Sequence, residues 1–318
     1  MYWILIALIG HTANGFAFVI DKILLKNAFK RSATYAGLVG LLSGLVVFLI
    51  PWVDKWPSGG SLALAILSGI TFMGGLWTFF TALSRGEASR VVPIISALIP
   101  ILTLIGTTIF LGERLTIMQL IGFFLLITAT VLLTGNFSKE RSNRIKWSVI
   151  LIMILSAVFF AITSISAKAV YSDVGFLSGF VSTRIVASIT AIILAMLIDP
   201  LSGSEMIEIF TSHNKKENKQ EKKKSGFKIK KSTAAKLAIT GQILGGIGYV
   251  SIQYATSLGS ASLVNALQVM QFALLVVVAF FMKSRAKELL GESLNKSVII
   301  IKAIALVIMA IGLAMVIK

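Results

Sequence analysis

"GLWTFFTALSRGEASRVV", residues 75–92, returns 173 positions later as "GYVSIQYATSLGSASLVN", residues 248–265. Gly75 falls on Gly248, Ala82 on Ala255 and Ser84 on Ser257; Gly86, Ala88 and Ser89 then fall on Gly259, Ala261 and Ser262. The echo reaches further in both directions. Lys22 and Lys168 close corresponding apolar runs at a different offset, and "GFFLLITATVLL" (122–133) resembles "ALVIMAIGLAMVI" (305–317). Similarity of this kind means that one structural unit is used twice.

The unit is a set of membrane helices. Of 318 residues, 56% are hydrophobic and only 14% charged, and the mean hydropathy is +0.91. Apolar runs near twenty residues long recur with short polar breaks, as needed to cross a hydrocarbon core of roughly 30 Å. Ten are expected, at about 2–20, 33–51, 61–83, 91–112, 117–135, 146–167, 175–198, 234–256, 262–282 and 297–317. Five spans per copy is an odd number, so the copies insert in opposite senses. The expected fold is an all-α polytopic membrane protein of ten helices in two inverted five-helix repeats, 1–136 and 146–318, joined by a basic connector at 137–145. Inverted repeats are the architecture of many secondary transporters, with the substrate held near mid-membrane.

The net charge of +17 lies between spans, where lysine and arginine report topology and contact with anionic lipid; nucleic-acid binding is not expected. Breaks after odd-numbered spans carry most of the cations, among them Lys22, Lys26, Lys30, Arg31, Lys139, Arg141, Arg144, Lys283, Arg285 and Lys287. The positive-inside rule then puts both termini outside and the odd breaks in the cytoplasm, the arrangement expected in a prokaryotic plasma membrane. The longest break, 199–233, holds the run "HNKKENKQEKKKSGFKIKK". It reads as a solvated cytoplasmic linker, with Lys222–Lys231 suited to anionic headgroups. The first span lacks the basic flank and cleavage site of a signal peptide. The absence of cysteine removes disulfides, thiolate metal sites and cysteine nucleophiles. No cofactor or metal is expected, and a homodimer is compatible with the sequence.

Residues 82–133, "ALSRGEASRVVPIISALIPILTLIGTTIFLGERLTIMQLIGFFLLITATVLL", resemble the second part of an EamA-type repeat of the drug/metabolite transporter superfamily. The resemblance rests on a small-residue turn, a proline-containing helix with Pro93 and Pro100, a terminal Gly112–Glu113, and a Gln119-x-x-Gly122 opening the next helix. With the repeat it covers nearly the whole chain, and it implies a ten-helix carrier for small metabolites with a central cavity. In the second copy the prolines are replaced by Ala266 and Ala273, and the Gly-Glu pair is met loosely at Gly291 and Glu292.

Polar groups inside a bilayer are expensive, so each is a candidate for function or for helix–helix adhesion. In span 1, His11, Asn14, Asp21 and Lys22 share an arc of roughly 100°; the last two sit where a long side chain reaches the interface. Span 8 presents Gln242, Tyr249, Gln253 and Thr256 on one face, and span 9 carries Asn265, Gln268 and Gln271 within two turns. Trp77 lies well inside a span, whereas Trp3, Trp52, Trp56 and Trp147 sit near ends. Arg184 and Lys302 are intramembrane cations without a local acid. Pro93 falls in a first helical turn, where its missing N–H costs little. Pro100 frees the carbonyl of Ser96 in mid-span, which predicts a bent span 4 facing an amide-bearing span 9. Glu113 reads as an end cap or gate contact, and "GLLSG" (40–44) and "GQILGG" (241–246) as sites of close helix approach.

The substrate-cavity candidates are thus His11, Asn14, Trp77, Ser96, Arg184, Tyr249, Gln253, Asn265, Gln268 and Gln271, with Pro100 and Glu113 as hinge or gate. Neutral amides suit a small polar or drug-like solute moved by alternating access as the two halves rock. A flippase for a lipid-linked or phosphate-bearing substrate on the same scaffold is the alternative. An intramembrane enzyme is disfavoured, since HExxH, G-x-S-x-G and a deep carboxylate pair are all missing. A non-transporting scaffold sits poorly with the polar faces of spans 1, 8 and 9.

Overall fold

The computed structural model describes residues 2–28, 32–85, 88–135, 146–194, 196, 231–282 and 296–317. Most of the lysine-rich loop, the 137–145 connector and Gly291–Glu292 therefore lie outside the described residues. Every described element is helical: α1 (Tyr2–Ala28), α2 (Ser32–Ser43) continued by a 3₁₀ segment (Gly44–Trp52), α3 (Gly59–Arg85), α4 (Ala88–Leu111), α5 (Ile117–Thr134), α6 (Trp147–Val174), α7 (Phe176–Ile193), α8 (Lys231–Leu258), α9 (Ala261–Ala266), α10 (Val269–Met282) and α11 (Lys296–Ile317).

Eight segments among the described residues are long and apolar enough to cross a membrane: those in α1, α3 to α7 and α11, and the α9–α10 pair taken together. The second expected span is shorter, with Val39–Trp52 as its apolar part. α8 is long enough, but Gln242, Gln253 and its glycines dilute its apolar content. Boundaries follow local chemistry. Gly112, at φ 65°, ends α4 in a conformation that side chains other than glycine rarely adopt, and the Glu113 N–H turns back to the Thr107 carbonyl at 3.2 Å. α5 starts on a capping box in which Thr116 and Gln119 bond each other's backbone N–H. Gln119 of the Gln-x-x-Gly motif is thus a helix starter.

Glycines set the main crossings. α1 lies along α8, α3 along α6, α5 along α11, and α2 along α7. A Cβ added to Gly248 would stand 2.8 Å from the backbone N of Asn14 and from the Gly10 carbonyl oxygen, so α1 and α8 touch backbone to backbone. On α3, the Gly75 carbonyl accepts a bond from Ser156 of α6 at 3.1 Å. Gly122 and Gly312 face each other's carbonyls at 2.7 and 3.0 Å across the α5–α11 contact, measured from an added Cβ. Gly40 and Gly44 of "GLLSG" meet Ala191 and Ser188 of α7, as that pattern predicts. "GQILGG" behaves differently: a Cβ on Gly246 meets nothing within 4 Å and one on Gly245 makes only an ordinary contact, so the close approach falls two residues on, at Gly248. Because α1 pairs with α8 and α3 with α6, the two sequence halves interlock instead of standing side by side.

Candidate functional site

The expected ninth span is not one helix. α9 ends at Ala266, two turn residues follow, and α10 begins at Val269. The Gln268 N–H bonds Asn265 O at 3.2 Å instead of reaching back four residues, which strips the Val264 carbonyl of its helical donor. His11 of α1 replaces that donor: its Nε2 sits 2.8 Å from Val264 O, which fixes Nε2 as the protonated nitrogen. His11 is 4% exposed, and its Nδ1 has no hydrogen-bond partner.

A matching exchange takes place on α4. Pro100 has no N–H to give Ser96 O, and the Gln268 side-chain amide donates to that oxygen at 2.5 Å. Between these two repairs, Asn265 Nδ2 donates to Thr103 Oγ1 at 3.1 Å and Ser164 Oγ at 3.0 Å. Thr103 and Ser164 send their own protons back along their helices, to Ile99 O and Phe160 O, which leaves oxygen lone pairs for the amide. The interruption at 267–268 therefore joins α1, α4 and α6 in one polar seam. α4 keeps its helical assignment through both prolines; the interruption in helical hydrogen bonding lies in the partner span, at 267–268.

A second polar feature lies on α7. Arg184 is 1% exposed, and none of its three nitrogens has a hydrogen-bond partner. Its guanidinium carbon lies 4.1 Å from the centroid of Phe72 (α3) and 5.0 Å from that of Tyr249 (α8). Tyr249 accepts a bond from the Gln253 amide at 2.5 Å. The Tyr171 hydroxyl of α6, buried in the neighbouring aromatic cluster with Phe180 and Tyr249, has no partner. Cation–π attraction to two rings offsets part of the cost of burying an unpaired charge.

A third feature is an open recess of about 280 Å³ where α4 ends, lined among others by Trp3, Glu113, Arg114, Gln119, Lys168 and Ser260. Ser260 donates to Glu113 Oε2 at 3.0 Å, and Lys168 Nζ donates to Gly259 O at 2.8 Å and Ser257 O at 3.2 Å. Lys55 pairs with Asp173 at 3.3 Å, tying the loop before α3 to the end of α6.

The structure thus brings His11, Ser96, Asn265, Gln268 and Pro100 into the seam, Arg184, Tyr249 and Gln253 into the aromatic cluster, and Glu113 into the recess. Asn14 stands at the α1–α8 contact, Gln271 faces Gly15 of α1, and Trp77 is half-buried on α3. Sequence reasoning missed Thr103, Ser164, Phe72 and Tyr171, which look like ordinary helix residues. Lys168 carried a signal, since it matches Lys22 across the repeat and sits in an otherwise cation-poor break.

Comparison with known proteins bears on this architecture. Residues 1–135 match the EamA-like transporter family. The EamA-like unit contains α1 to α5, with Pro100, Glu113 and the Gln119–Gly122 motif, and the protein is an integral multi-pass membrane protein. The uncharacterized transporter YvbV of Bacillus subtilis is 30% identical over 91 residues, covering 29% of this chain and 30% of its own. An uncharacterized protein of Methanocaldococcus jannaschii is 38% identical over 73 residues, 23% of this chain and 53% of its own. The matches thus span less than a third of the first relative and about half of the second. A crystal structure aligns over 98% of this chain and 95% of its own at TM-score 0.64 and 16% identity, a likeness of fold.

Proposed function

We propose that the chain is a secondary carrier moving a small polar or drug-like solute across the membrane by alternating access, without catalysing a reaction. The observation that carries this reading is the polar seam at 264–268. There an EamA-like unit and the second half share hydrogen bonds that ordinary helices keep to themselves. A discontinuous helix near mid-span, with carbonyls held by side chains from other helices, is the element that transporters use to build and release a binding site. We read the fold as ten spans in two inverted repeats. Exchanging the first five spans for the last five turns the α1–α8 pairing into the α6–α3 pairing. The contact residues follow, Gly248 matching Gly75, and Gly10 matching Ser156 at the spacing that relates Lys22 to Lys168. The cation count supports outside termini and cytoplasmic odd breaks.

A flippase would present its headgroup cation towards lipid; Arg184 faces packed helices, which favours the soluble-solute reading. Purified protein in proteoliposomes, screened over amino acids, purines, sugars, organic acids and cationic dyes, should move at least one class, and Gln268→Leu should slow it. A folded wild-type protein that moves none of them would sink the proposal.

A further inference from the structure

Among the described residues, Arg184 is a buried cation with no carboxylate paired to it and no hydrogen-bond partner for its guanidinium nitrogens. Membrane helices normally give an internal arginine a carboxylate, a carbonyl or water. Here its neighbours are the faces of Phe72 and Tyr249. The same cluster holds the Tyr249 hydroxyl, bonded to Gln253, and the buried hydroxyl of Tyr171. This packed cluster is therefore rich in donors and in apolar ring surface, and its single charge is positive.

We infer that Arg184 anchors the carboxylate of a small organic monoanion whose apolar body lies against Phe72 and Tyr249. This assignment rests on the carrier reading above and names its substrate class. The planar guanidinium fork matches a carboxylate bidentately. One unpaired cation balances one negative charge, whereas a phosphate dianion would leave a charge buried and uncompensated. Tyr171 can donate to the same carboxylate, which would satisfy an otherwise idle hydroxyl. The two rings that hold the guanidinium in the closed conformation would flank the ligand when the helices part.

The test compares benzoate and butyrate with benzamide and butyramide, and with inorganic phosphate. Binding is read by thermal stabilisation of the full-length protein in detergent, and transport by counterflow in proteoliposomes. The acids should stabilise the wild-type protein and be transported, while the amides and phosphate do neither. Removing one partner of a buried charge pair weakens binding by roughly 30-fold or more, so Arg184→Gln should lose the acids' effect and Arg184→Lys should keep part of it. The acid–amide comparison needs no variant, so a misfolded Arg184→Gln leaves the inference testable. Acid binding without counterflow would uphold the site and bring down the carrier reading. Transport of a neutral or cationic solute with no response to either acid would uphold the carrier and overturn the assignment. Stabilisation by phosphate in place of the acids, or no response to any of these compounds, would also overturn it.

Discussion

Gln268 and Pro100 are expected to be energetically coupled, because one repairs what the other breaks. Pro100 cannot donate to Ser96 O, and the Gln268 amide does so at 2.5 Å. Gln268→Leu leaves that buried carbonyl without a donor. An orphaned buried polar group costs about 1–3 kcal/mol in soluble proteins. Within membranes the unfolded reference also finds partners, and measured values average near 0.6 kcal/mol with maxima near 1.7. Ser96 is 7% exposed, so a loss of about 1–1.5 kcal/mol is expected, roughly a 5- to 10-fold change in the unfolding equilibrium. In a Pro100→Ala background the new Ala N–H reaches Ser96 O along the helix. There Gln268→Leu should cost less by most of that amount. A double-mutant cycle of reversible unfolding in mixed micelles reads the coupling directly. Strictly additive losses would refute the claim that Gln268 acts as the missing donor.

Gly248→Ala should destabilise by about 1–3 kcal/mol, because its Cβ would meet backbone atoms of α1, while Gly246→Ala, with nothing within 4 Å, should be near neutral; thermal melts in detergent distinguish them. His11→Phe should lower stability by about 1 kcal/mol through the abandoned Val264 carbonyl, read in the same unfolding assay. Since the chain has no cysteine, single cysteines at Asp54 and Asp173, neighbours of the Lys55–Asp173 pair, should both react with an impermeant maleimide added outside intact cells. Reaction at one and protection of the other would contradict a shared outer face. Lys168→Met should cost about 1 kcal/mol by removing the bonds to Ser257 and Gly259, and should raise the reactivity of a cysteine at Ser260.

The helical class and most spans could be read from hydropathy, because the bilayer demands long apolar runs whatever the packing. Gly75 and Gly248, matched in sequence, both stand at helix contacts, Gly75 against Phe160 and Ser156 of α6 and Gly248 against the backbone of α1. The break in the ninth span was not legible. Proline is a local signal, and α4 absorbs Pro100 because a distant amide takes over the freed carbonyl. The real interruption, at 267–268, carries neither proline nor glycine; it is held by His11, Thr103, Ser96 and Ser164, all more than a hundred residues away in sequence. Likewise Phe72 shows no periodicity that would mark it as a ring facing Arg184.

The interlocking of the halves has a mechanical consequence. Rocking residues 1–135 as one body against 146–317 would have to peel α1 from α8, where backbones meet directly, and α3 from α6, where Phe159, Phe160 and Ser156 fill the glycine notches. These junctions are bearings, and a bearing joins parts that travel together. On the proposed carrier reading, the fault line would run instead between a bundle built on α1, α8 and the interrupted span and a bundle built on α3, α4 and α6. The hydrogen bonds from Asn265, Gln268 and Lys168 are rungs that cross it. Opening the protein would break few bonds, and each of those donors belongs to a side chain long enough to turn towards whatever enters.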